Sequence, residues 1–131
     1  LVEDQNNLTG EEEALLEDLL GGLGLYMKLP FAQMGAANAM SGCGPAFMSM
    51  VLEALGDGGV KHGLTRTQAY TLAACGMEGT AKLQLETGLH PGVLKDQVCS
   101  PGGVTIRGVA ALEENGLRNA LLKAIDATFE K

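Results

Sequence analysis

The sequence predicts an all-α domain, preceded by one helix and one β-strand, and three observations carry that expectation. Two threonines open helices with capping boxes, Thr9-Gly10-Glu11-Glu12 and Thr65-Arg66-Thr67-Gln68, in which side chain and backbone bond reciprocally across the first turn. Behind such starts, leucines recur at helical spacing. From Pro30 onward, prolines at helix starts and glycines at helix ends divide the chain into further helices, and no second strand is read. The 131 residues suit one domain with a modest core.

In chain order, Leu15, Leu16, Leu19, Leu20 and Leu23 form one stripe of a first amphipathic helix, ended by the glycines of GGLG. Leu25, Met27 and Leu29 then alternate with Tyr26 and Lys28, as in a half-buried strand. One strand makes no sheet, so this helix and strand read either as the end of a larger α/β unit or as an element that pairs with another chain. A short helix is expected over Ala32–Met40, broken by SGCGP before Pro45 starts another that runs to the glycines near Gly58. The capping box at Thr65 opens the longest helix, through Glu86, with a stop at Thr87-Gly88. His90-Pro91-Gly92 starts a short helix through Val98. A helix follows from about Val104 to Asn115-Gly116, and Leu121, Leu122, Ile125 and Phe129 mark the last one.

Composition excludes several classes. A net charge of −7 without a basic cluster argues against nucleic acid, and no apolar run is long enough to span a membrane. Cys43, Cys75 and Cys99 have neither disulfide nor zinc spacing and suit a reducing, cytoplasmic setting. The first residues, LVEDQNN, lack the features of a signal peptide. Nineteen glycines, many alanines and 4% aromatics point to closely packed helices whose burial another subunit completes.

The chemistry-bearing motifs are few. No G-x-G-x-x-G stands between a strand and a helix, so no nucleotide fingerprint is present. The histidines, His62 and His90, read as a loop residue and a helix-capping residue, which leaves Cys99 and Ser100 without a base to activate them. Glu11 to Glu13 read as a solvated first turn, and methionines such as Met48, Met50 and Met77 as gap fillers. VCSPGGVTIRG, Val98 to Gly108, is different. Its glycines precede a helix, where unpaired amides and the dipole favour a small anion, with Ser100 and Thr105 adding hydroxyls. The residues leave two readings open: such an anion seat, or a glycine-rich helix start with Ser100 as its cap.

SGCGPAF, EALGDGGVKHGL, LETGLHPGVLKDQV and CSPGGVTIRGVAALEENGLRNAL, in that order, resemble the C-terminal domain of pyrroline-5-carboxylate reductase from about Met34 to Lys131. That resemblance implies an interlocking helical dimerisation and substrate-binding domain over residues 31–131, with residues 1–30 as the end of a truncated Rossmann domain. The chain then looks like a fragment, and inactive alone. The parent would reduce 1-pyrroline-5-carboxylate to proline with NAD(P)H; no cofactor is expected bound to this chain, and no metal is needed. The partners implied are a twin subunit, in a homodimer or a decamer, and a small carboxylate substrate. Carried over by position, Ser100 binds the carboxylate through its hydroxyl, Gly103 and Val104 present backbone, and Thr105, the catalytic candidate, bonds the ring nitrogen. Cys43 and Val104 depart from the family's commonest residues, Ser and Thr or Ala, while Thr105 is retained. The other reading is a helical dimerisation module without a ligand, its SPGG corner purely structural.

Overall fold

Helical order begins at the first capping box. In the computed structural model, which describes residues 1–130, Thr9 Oγ1 accepts from the Glu12 amide at 3.3 Å and the Glu12 carboxylate accepts from the Thr9 amide at 2.8 Å. These bonds open helix α1 (Gly10–Gly21). The expected strand is shorter than Leu25–Leu29: β2 is Lys28–Leu29, and it pairs with a strand absent from the sequence reading, β1 (Val2–Glu3). The pairing is parallel, Val2 beside Lys28 and Glu3 beside Leu29, and α1 supplies the crossover that parallel strands require. Glu13 on α1 accepts from Asn6 Nδ2 at 3.0 Å and pairs with Lys28, which ties the helix to the loop before it and to β2.

The break expected at SGCGP does not occur. Helix α2 (Phe31–Asn38) passes through a π-helical turn, Ala39–Cys43, straight into α3 (Gly44–Lys61). The Gly44 amide reaches back to the Ala39 carbonyl, the wider spacing of a π-turn. Pro45 has no N–H to place, so the chain tolerates it one residue into α3. Nor do the glycines near Gly58 stop α3, because two of them serve packing. A Cβ on Gly56 would stand 2.3 Å from Tyr70 Cε1, and one on Gly59 would stand 2.9 Å from the Ala69 Cβ. The helix ends at Gly63, where the Leu64 amide bonds the Gly59 carbonyl and the Gly63 amide bonds that of Val60, a Schellman pattern.

Helix α4 (Arg66–Thr87) opens on the expected box: the Thr65 hydroxyl accepts from the Gln68 amide, and the Gln68 side chain accepts from the Thr65 amide at 3.0 Å. It stops at Gly88, as expected. Helices α5 (Pro91–Gln97), α6 (Val104–Glu114) and α7 (Leu117–Ala127) follow. The chain divides into two units, residues 1–45 with those from Ala127 onward, and Ala46–Asp126. In the first, the Phe129 ring covers Gly35. In the second, α3 and α4 meet at Gly56 and Tyr70.

Among the described residues, the buried apolar side chains are Ala39, Ala69 and Leu94, and no large side chain is fully enclosed. Leu19, Leu23, Met50, Leu72, Leu85 and Leu122 stay exposed, although Leu19, Leu23 and Leu122 occupy the apolar stripes read from the sequence. The small residues sit at helix contacts and the large ones remain uncovered, an apolar surface that suits association. No helix among the described residues is long and apolar enough to cross a membrane.

Candidate functional site

The approach to the glycine corner is fixed by α5. His90 Nδ1 accepts from the Gly92 amide at 3.0 Å, the capping role expected for it, and Pro91 takes the first helical position. Leu94, 7% exposed, anchors the helix by its apolar side chain. After α5, Ser100-Pro101-Gly102-Gly103 makes a turn in which the Gly103 amide donates to the Ser100 carbonyl at 3.0 Å. Proline second and glycine third, with Gly102 at φ +68°, are the marks of a type II turn.

Gly103 is the residue that caps α6, and no side chain bonds the helix's first amides. Ser100 is therefore not the cap that one reading made it. Its hydroxyl lies against Gly103 instead, 2.3 Å from where a Cβ would stand, so glycine is required for that approach. Val104 and Thr105 are the first two residues of α6, both exposed, with Val104 at 76%. The turn thus gathers Ser100, Gly103, Val104 and Thr105 around one helix N-terminus. Its unclaimed amides carry the positive end of the dipole, and no acidic residue occupies the first turn. An anion finds hydroxyls and amides there and no carboxylate on the same turn.

One neighbour escaped the sequence reading. Arg107 Nε reaches back to the Gly103 carbonyl at 3.4 Å. The signal was the spacing of four residues, since helical side chains lean toward the N-terminus. The other cations close in sequence are paired: Lys95 with Asp96, whose carboxylate raises the lysine pKa, and Arg118 with Glu113 at 2.6 Å.

In the βαβ unit of β1, α1 and β2, the start of α1 is the place where such a fold can seat a phosphate, and here it is acidic. The Glu12 amide of α1 is engaged by the Thr9 side chain, and Glu11, Glu12 and Glu13 line its first turn. Hydrogen bonds from Thr9 to Glu12, and from Lys28 and Asn6 to Glu13, hold both carboxyls below their ordinary range, so they stay charged and repel phosphate.

A helical body with uncovered apolar stripes is that of a subunit-pairing domain. Residues 32–131 match the family described as pyrroline-5-carboxylate reductase dimerisation, and the chain belongs to that family. It is 46% identical over 129 residues to the pyrroline-5-carboxylate reductase of Treponema pallidum, covering 98% of this chain and 49% of that one. Its fold is similar to a Coxiella burnetii pyrroline-5-carboxylate reductase, with a TM-score of 0.88 and 30% identity over 96% of this chain and 47% of the other. It is also similar to the Plasmodium falciparum pyrroline carboxylate reductase, solved with NADP bound, with a TM-score of 0.85 and 30% identity over 95% and 50% of the two chains. The chain therefore spans about half the length of these relatives.

Proposed function

We propose that this chain is the dimerisation and substrate-binding part of a pyrroline-5-carboxylate reductase whose parent reduces 1-pyrroline-5-carboxylate to L-proline with NAD(P)H. The observation that carries the reading is the open N-terminus of α6, where Ser100 and Gly103 meet and no side chain takes the amides. In this reading the substrate carboxylate accepts from the Ser100 hydroxyl and lies against the backbone that Gly103 and Val104 present, the Val104 amide donating while that of Gly103 closes the turn onto Ser100. Thr105 bonds the ring nitrogen, holding the imine in register and guiding the proton that nitrogen gains on reduction.

The nicotinamide cofactor belongs to the parent and not to the residues present here, in keeping with the acidic, capped start of α1. Residues 1–30 are assigned to the end of that parent's cofactor domain and residues 31–131 to the helical domain. The exposed apolar stripes are assigned to a twin subunit, in a homodimer or a larger ring such as a decamer, and the three free cysteines accord with a cytoplasmic protein.

L-Proline, which presents the product's carboxylate and ring nitrogen, tests the site. The amides of Val104 and Thr105 should shift on proline titration of the chain, and an unchanged spectrum at millimolar proline in a verified dimer would favour the ligand-free dimerisation module. The chain alone should oxidise no NADPH in the presence of 1-pyrroline-5-carboxylate; measurable turnover would contradict the division of labour proposed here.

A further inference from the structure

The corner that receives the carboxylate belongs to a protein of net charge −7, whose overall field repels an anion. A local cation changes the sign of the field at one point without changing it elsewhere. Among the described residues, the cations without a carboxylate partner are Lys61, Arg107 and Lys123. Arg107 alone of the three lies within a turn of the corner. Its Nε contacts the Gly103 carbonyl at 3.4 Å, and the Ser100 hydroxyl packs against the same glycine. Arg107 is exposed, so its remaining N–H groups have no other described side chain to satisfy.

Resting on the site proposed above, we infer that Arg107 is a carboxylate-recruiting residue, anchored through Nε to the Gly103 carbonyl and presenting its guanidinium beside the anion seat. Its role is separable from those of Ser100 and Thr105. The hydroxyls and amides fix where the carboxylate sits, while the guanidinium supplies a longer-ranged attraction that salt screens over about 10 Å at 0.1 M. An exposed guanidinium contributes modestly, on the order of a three- to fivefold change in affinity at low ionic strength. Lysine at this position keeps the charge and gives up the anchored fork.

The test is a proline titration of the chain, read at the Val104 and Thr105 amides, at about 20 mM and about 500 mM sodium chloride, repeated with R107Q and R107K. L-Prolinamide, which has the ring nitrogen and no carboxylate, serves as the carboxylate-free control, and the α6 amide pattern reports whether each variant is folded. The expected result is a wild-type Kd that rises with salt, an R107Q Kd about three- to fivefold higher at low salt and nearly independent of salt, and an R107K Kd in between. If R107Q binds as tightly as wild type with the same salt dependence, the role of Arg107 is overturned while the corner stands. If wild type shows no response to proline, the corner fails and this inference fails with it.

Discussion

Helices α1 and α6 begin in opposite ways. At α1 a threonine, a glutamate and their reciprocal bonds take the first amides, and three glutamates line the first turn. At α6 a glycine stands in the capping place, no side chain bonds the amides, and the first turn holds no acid. The first arrangement spends the dipole on the helix's own stability, whereas the second leaves it available to something outside the chain. A helix start is thus recognisable as structural or receptive by asking who holds its amides.

The most direct way to break the contrast is to give α6 the character of α1. Val104→Glu should stabilise the helix by about 0.3–1 kcal/mol through the dipole yet reduce proline binding tenfold or more, because a carboxylate then competes for the seat. Thermal unfolding and titration read the two effects separately, and their opposite signs are the expected outcome. Gly103→Ala comes next. Its Cβ would meet the Ser100 hydroxyl at 2.3 Å and the Ser100 carbonyl at 3.1 Å, so the turn must shift, with an expected loss of about 1–2 kcal/mol and severalfold weaker binding.

At the other pole, Thr9→Ala removes the side-chain half of the α1 box, the Oγ1 that accepts from the Glu12 amide, and leaves the backbone half; it should cost about 1 kcal/mol in denaturant unfolding, with proline binding unchanged. The smallest effect is one of pH. The carboxyls of Glu12 and Glu13 titrate below the ordinary value of 4.5 in the folded chain, so their contribution is present above that value and is lost as pH falls through their depressed pKa values. Melting temperature should therefore fall more steeply below about pH 4.5 in the parent chain than in an E12Q/E13Q variant. Equal slopes would show that these bonds do not form in solution.

Capping boxes were legible in the sequence because each is a local pattern with a local cause. Thr9, Thr65 and the His90-Pro91 start all function as read, and so does the stop at Gly88. What escaped the sequence was decided at a distance or by a substitution of one backbone geometry for another. Val2–Glu3 is two residues long and becomes a strand only because Lys28 lies beside it after α1 has crossed over. The SGCGP segment looked like a break, but a π-turn absorbs the proline. Gly56 and Gly59 looked like an ending, but Tyr70 and Ala69, beyond the next turn, occupy the space their missing side chains leave. At the corner, the residue types were visible and their assignment was not: glycine caps the helix, serine lies against it, and Arg107 joins them from the turn above.

Gly102, at φ +68°, occupies a region of backbone space that suits the opposite hand of amino acid. A D-alanine introduced there by chemical ligation would fit without strain, restrict the unfolded chain, and gain about 0.4–1 kcal/mol, where L-alanine would lose about as much. Chirality at a single α-carbon thus becomes a handle on how firmly the corner is held, independent of any charge or hydrogen bond it offers.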